Sequence, residues 1–405
     1  MNNEKKIIFF TCVAHYFTHF YELLFPALAI PLVLSLKMSL ADVLKLSFFM
    51  YLLYGLAALP WGMFADRYGN RRSLIIFFVG TGAGALLTSL SNTETSIMCS
   101  LAFIGFFSSI YHPAGMGLIS IGTKNRGMAL GINGVAGNLG LMSAPFVAGI
   151  LNWLVGWQIT FLIIGIISIA WGLGMLLVNI DETPVHEENE SEEKTGNNDN
   201  MKYFFILCIV MALAGLAYRA NGVVLPAYFE FKASFLWEYL QGFHFENLEG
   251  AKTMAATLLA STVYIVSAIG QLAGGKLADK YDLRWMYLAF HVLSIPFVIL
   301  MGLLSQQLLV ISAALYVFFA LGMQPIENSL VAKFTPNRWR STGFGIKFIL
   351  VFGVGSIAVY IVGWIKEAWN LGTVYFFSAA TIAVLVLFII LLIAVSRKVS
   401  CRNLE

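Results

Sequence analysis

The chain has 405 residues, 59% hydrophobic and only 12% charged, with a mean hydropathy of +0.79 and a formal net charge of +3. A water-soluble domain carries roughly 25% charged residues, so water is excluded as the solvent for most of this surface. The near-neutral charge gives no reason to expect a nucleic-acid partner, and the lipid bilayer becomes the expected surrounding.

Apolar stretches recur at spacings near the roughly 20 residues an α-helix needs to cross the hydrocarbon core. In chain order they predict helix 1 to helix 12 at 7–34, 42–64, 73–91, 95–120, 127–151, 157–179, 202–229, 253–277, 284–304, 307–332, 341–365 and 372–396. Lys5 and Lys6 precede helix 1 as they would a secretory leader. The stretch is too long for one, it carries His15, His19 and Glu22, and no small-residue cleavage site follows, so it is expected to remain as a membrane helix. Cys12, Cys99, Cys208 and Cys401 are scattered, which suggests neither a disulfide framework nor a metal site.

An even number of helices places both termini on one side. Basic residues collect in one set of loops and tails, from Lys5 and Lys6 through Arg67, Arg71, Arg72, Lys124, Lys276, Lys280 and Lys333 to Arg397. The opposite loops hold only Lys37, Lys45, Lys232, Lys252 and Lys366. The richer set is expected to be cytoplasmic, in a cell's inner (plasma) membrane. Residues 181–201 are acidic and lack apolar periodicity, so they read as a disordered cytoplasmic linker between a bundle at 1–180 and a bundle at 202–405. The aromatic segment 229–252 is expected to form a short interfacial helix or a lid.

The two halves repeat. GMFADRYGNRR at 62–72 returns as GKLADKYDLRW at 275–285, and HPAGMGLISIGTKNR at 112–126 returns as QPIENSLVAKFTPNR at 324–338. Asn133 falls opposite Lys347, and His19 opposite Arg219. Parallel six-helix repeats place a solute near the membrane midplane, between the halves.

The loop GMFADRYGNRR resembles the signature loop of the major facilitator superfamily. Gly62, Asp66, Arg67, Gly69, Arg71 and Arg72 fit it in the first copy; Gly275, Asp279 and Lys280 fit in the second, where Asp282 and Trp285 depart. The resemblance implies an all-α integral membrane fold, twelve transmembrane helices in two six-helix bundles related by a pseudo-two-fold axis. It also implies a conformational latch built from Gly62, Asp66, Arg67, Arg71, Gly275, Asp279 and Lys280, although positive charge in this loop also serves topology alone. Helix 5, with Gly140, Pro145 and Gly149, resembles the glycine-proline signature of proton-driven exporters of that superfamily, with alanine at Ala144 and Ala148. Small residues there let helices pack closely.

Ionisable groups inside the bilayer cost roughly 2.5–3.5 kcal/mol each on insertion scales, so each is a functional candidate. Glu22, Arg219, Glu327 and Lys347 are the full charges placed inside the bilayer, away from the helix ends, and two couples are expected, Glu22 with Arg219 and Glu327 with Lys347. Glu22, Glu327 and His112 are the candidates for proton coupling, and His19, Tyr21, Asn133, Arg219, Gln324 and Lys347 for the substrate cavity. His15 and His19 share a helix face, but two histidines without a third ligand are a weak metal signal, and no cofactor is expected. With neither a P-loop nor a serine elbow, an enzyme is not expected. The leading reading is a monomeric secondary transporter that exports a small organic solute by proton antiport. Proton symport importing a sugar, carboxylate or nucleoside-like metabolite is the alternative, and a transport-inactive sensor is the reading from another class.

Overall fold

The structure is a computed structural model in which residues 2–185, 201–243, 245–335, 340–397 and 401 are described. Residues 186–200, most of the expected linker, lie outside the described residues. The described residues form twelve helical spans, six on each side of that linker.

Helix 1 runs Asn3–Ala27 and Ala29–Leu36, broken at Leu28 two residues after Pro26. Its start lies before Ile7 because the Asn2 side chain accepts the Lys5 amide at 2.9 Å and caps the helix. Helix 2 is Leu40–Lys45, Phe48–Leu56 and Ala58–Tyr68, bent by 45° after Leu56. Helix 3 is Asn70–Ser89. It begins one residue after Gly69, whose φ of 99° reverses the chain in a conformation that favours glycine. Helix 4 is Glu94–Ser108 continued by Tyr111–Gly122.

The run Arg126–Leu176 spans 51 residues. At about 1.5 Å per residue it far exceeds a hydrocarbon core of about 30 Å. Gly156, at φ 81° and ψ 166°, divides it into helix 5 (126–155) and helix 6 (157–176). The turn thus falls at a single glycine, where the sequence suggests a loop at 152–156.

In the second half, helix 7 is Met201–Lys232, helix 8 Leu248–Lys280, helix 9 Leu283–Leu303, and helix 10 Gln306–Gly322 with Gln324–Phe334. Helix 11 begins as Arg340–Phe348, loosens into a π turn over Ile349–Gly353 and a 3-10 turn over Val354–Ser356, and resumes over Ile357–Ala368. Helix 12 is Thr373–Val395. Helices 4 and 10 break at repeat-related places. Pro113 and Pro325 sit early in the segments that follow, where a missing N–H costs little.

Helix 7 extends past the predicted end at 229 and takes Glu230 inside. Helix 8 begins at 248 instead of 253 because Asn247 caps it, accepting the Gly250 amide at 2.9 Å. Between them a short helix, Phe235–Leu240, lies against helix 10 through the Phe235 amide and the Gln306 side chain. The same segment crosses to the first bundle, where Asn247 donates to the Trp153 carbonyl at 3.1 Å and the Phe245 and Trp153 rings lie 5.7 Å apart.

Candidate functional site

A cavity of about 840 Å³ lies between the bundles, walled by helices 1, 4 and 5 on one side and helices 7 to 11 on the other, with helix 12 contributing one residue. At the end away from the basic loops the bundles meet. A methyl on Gly149 of helix 5 would strike Thr257 of helix 8, and Lys45 of helix 2 bonds to Glu367 at the end of helix 11 at 3.0 Å. Toward the basic end, Gly131 and Gly134 of helix 5 face open space. The cavity therefore opens toward the basic loops.

His15, His19 and Glu22 recur at spacings of four and three, which puts them on one helical face turned to the second bundle. Glu22 is buried. Its Oε1 accepts from Arg219 Nη2 at 2.9 Å, and its Oε2 accepts from His19 Nδ1 at 2.9 Å. The guanidinium lies 3.5 Å over the Tyr51 ring, whose hydroxyl donates to the Glu22 carbonyl. Among the described residues Arg219 Nε and Nη1 have no hydrogen-bond partner, an unusual state for buried charged donors. His19 and Tyr218 line the cavity; Glu22 and Arg219 sit behind that wall. This corrects the expectation that Arg219 forms the wall itself. Tyr21 is corrected too. It points about a third of a turn away from Glu22, into the core of the first bundle against Phe17, and does not line the cavity.

The second couple does line it. Glu327 Oε1 accepts from Lys347 Nζ at 2.8 Å, Oε2 accepts from the Tyr287 hydroxyl at 2.6 Å, and Lys347 also donates to Asn328 at 2.5 Å. Beside it His291 keeps Nε2 buried without a partner among the described residues. Gln324 belongs to a row of amides across the bundles, in which Asn138 donates to Gln271 at 2.7 Å and Gln271 donates to Gln324 at 3.0 Å.

His112 stacks on Phe348 of helix 11 with ring centroids 4.4 Å apart, and its Nε2 shares a 3.2 Å hydrogen bond with the Tyr54 hydroxyl. His15 stacks on Tyr111 and donates to the Asn133 carbonyl at 2.8 Å, while Tyr111 donates to the Asn133 side chain at 2.6 Å. Tyr51, Tyr54, Tyr287, Asn138, Gln271 and Asn328 were not among the sequence candidates. Gln271 and Asn138 carried a readable signal as lone amides in apolar helices; the tyrosines were hidden among many packing aromatics.

The loop residues divide. Arg71 Nε donates to Val178, and its Nη2 to Met175 and Leu176, so it holds the end of helix 6 instead of the other bundle. Glu182 accepts the amides of Asn70 and Arg71 at the start of helix 3. The repeat-related Arg284 holds the end of helix 12 through Ser396 and pairs with Asp282. Burial pushes the Asp282 carboxyl up, but hydrogen bonds from Arg284 outweigh it and hold the carboxyl below its ordinary value. Arg67 lies 5.3 Å over Tyr68. Among the described residues Asp66 and Asp279 make no ion pair. A methyl on Gly62 would touch Pro113, and one on Gly275 would just reach Pro325, so both glycines lie against the cavity helices 4 and 10. Lys280 ends helix 8. Gly140 lies so close to the Tyr16 carbonyl of helix 1 that no side chain fits, and Pro145 lies within helix 5 between Gly140 and Gly149.

The model of the Major Facilitator Superfamily matches residues 8–241 and 207–403. The riboflavin transporter RibZ of Clostridioides difficile is 23% identical over 348 residues, 73% of this chain and 74% of that protein. The D-galactonate transporter of Escherichia coli O6:H1 is 22% identical over 390 residues, 86% of this chain and 85% of its own. Among solved structures, a bacterial homologue of the human lysosomal transporter Spinster, in an inward-facing and unoccupied conformation, superposes with a TM-score of 0.74. That likeness covers 97% of this chain and 96% of that chain at 14% identity and carries the fold alone.

Proposed function

Because the chain belongs to the major facilitator superfamily and is a membrane transporter, not an enzyme, we propose that it carries a small organic anion by alternating access with protons as the driving ion. The observation that carries this reading is that Glu22 and Glu327 each contact a cation, Arg219 at 2.9 Å and Lys347 at 2.8 Å. An anionic solute at Lys347, which lines the cavity, competes with the Glu327 carboxylate, while Glu22 and Arg219 act from behind the wall formed by His19 and Tyr218. A proton on the carboxylate releases the cation, so proton and anion favour one another's binding. The loaded site is then neutral, which matters because an unpaired charge in the bilayer costs roughly 2.5–3.5 kcal/mol. This coupling moves solute and proton together, the symport alternative of the sequence. The galactonate named for one relative is such an anion.

Export by proton antiport is the second reading, favoured by the packing of Gly140 and Gly149 of helix 5 against helices 1 and 8. In both readings His112, stacked across the bundles, and His19 report the protonation state to the moving interface. The bundles at 1–180 and 202–405 act as the moving bodies, the basic end faces the cytoplasm with both termini, and the cavity, built by one chain, suits a monomer.

A thermal-shift screen of the purified protein tests the substrate class, since a ligand of the folded state raises its melting temperature. Carboxylates or phosphonates are expected to stabilise, more at acidic than at alkaline pH; stabilisation by organic cations alone would contradict the reading. Asp66, which makes no ion pair among the described residues, is proposed to engage when the cytoplasmic side closes. Asp66→Asn is expected to slow turnover several-fold with membrane insertion intact, measured as transport per inserted molecule. Wild-type turnover would leave the loop only its topological charge.

A further inference from the structure

Glu230 is a buried carboxylate that the account above does not use. It lies on helix 7 eleven residues beyond Arg219, three turns on and within about 20° of the same face at roughly 100° per residue. It is 6% exposed. Its hydrogen bond comes from the Thr253 hydroxyl of helix 8 at 2.9 Å, and among the described residues it has no ion pair. The charged groups that act on it are Lys252 and Glu249 of helix 8. Of the other elements packed against helix 7, helix 11 carries Lys366 and Glu367 at its outer end and helix 12 carries Tyr375, whose ring lies 4.9 Å from that of Tyr228. The outer part of helix 1, residues 29–36, has no ionisable side chain.

A carboxylate sealed from water with one hydroxyl donor and no cation in contact is costly to bury, and a proton removes that cost. Around Glu230 the outer half is shut: a methyl on Gly149 would strike Thr257, and Asn247 bonds to the Trp153 carbonyl. From Thr253 a stripe of polar side chains runs down helix 8 through Thr257, Ser261 and Tyr264 to Gln271, all within about 80° at helical spacing. Tyr264 and Gln271 line the cavity. The Ser261 hydroxyl and the Asn221 side-chain oxygen on helix 7 are buried without partners among the described residues, a donor and an acceptor available to a proton path.

We propose that Glu230 is a second proton-binding site, on the outer side, which takes a proton from outside water when the outer half is open and carries it as that half closes. The helix 8 stripe then leads the proton inward to Glu327, leaving Glu230 as the carboxylate and ready to reload. This rests on the reading of protons as the driving ion.

The test uses protons alone as the ligand. Spin labels at Leu154→Cys and Leu308→Cys, on the outer ends of the two bundles in a background without the four native cysteines, report outer opening by pulsed electron resonance. Between about pH 5 and about pH 9 the open fraction of the wild type is expected to rise roughly threefold or more. Glu230→Gln should hold it flat and low, and Glu230→Asp should restore the rise. Thr253→Val, which removes the hydroxyl partner and keeps the carboxyl, should displace the profile along the pH axis. A wild type without a pH response, a Glu230→Gln profile like the wild type, or an unmoved Thr253→Val profile overturns the proposal. If Glu230 passes while solute moves without protons in liposomes, the coupling reading fails and the proton site stands.

Discussion

Glu22→Gln is expected to reduce pH-driven solute accumulation at least tenfold in proteoliposomes while exchange of labelled for unlabelled solute continues. The substitution mimics the protonated acid in shape and charge, so Arg219 stays released and the site cycles between its two conformations without a proton to move. Exchange needs only those conformations; accumulation needs the charge to change. The His19 bond to Oε2 survives in part, because the glutamine carbonyl still accepts. Full pH-driven accumulation by this variant would remove Glu22 from the coupling role and leave Glu327 or His112.

Arg219→Ala is expected to have the larger effect on the fold. Breaking a buried pair from one side leaves Glu22 charged and unmatched, typically about 3–5 kcal/mol of destabilisation. The guanidinium also covers the Tyr51 ring at 3.5 Å, so packing is lost with the charge. A melting temperature several degrees lower is expected. Glu22→Gln combined with Arg219→Ala should recover part of the loss, because the second change removes the orphaned charge. An additive double variant would mean that the pair contributes no coupling energy.

Much of this fold was legible in the sequence because a bilayer imposes few choices. A spanning backbone must satisfy its own hydrogen bonds, as helices do within each apolar stretch of about 20 residues, and the repeats at offsets of 212 and 213 set the halves against each other. Helix ends were less legible where a side chain decided them: Asn2 and Asn247 caps lengthened helices 1 and 8, and Gly156 alone turns helix 5 into helix 6. The proximity of Glu22 to Arg219 followed from the scarcity of intramembrane charge. Which group faces the cavity did not follow, since depth along a helix is readable from spacing but the thickness of wall in front of a side chain depends on the neighbouring helix. Tyr218 and His19 form that wall. Arg71 shows the converse. Its charge suggested a latch between bundles, and its partners are the last carbonyls of helix 6, backbone groups that no residue pattern identifies.

The central claim, that proton and anion travel together, is tested most directly by the polarity of a gradient. Proteoliposomes holding the protein, with an anionic ligand found by the thermal-shift screen present equally on both sides, are given a pH difference with the membrane potential clamped at zero. The solute is expected to accumulate on the alkaline side, in the direction of proton flow, and Glu22→Gln to abolish the accumulation. Accumulation on the acidic side would contradict it and establish exchange of solute against protons.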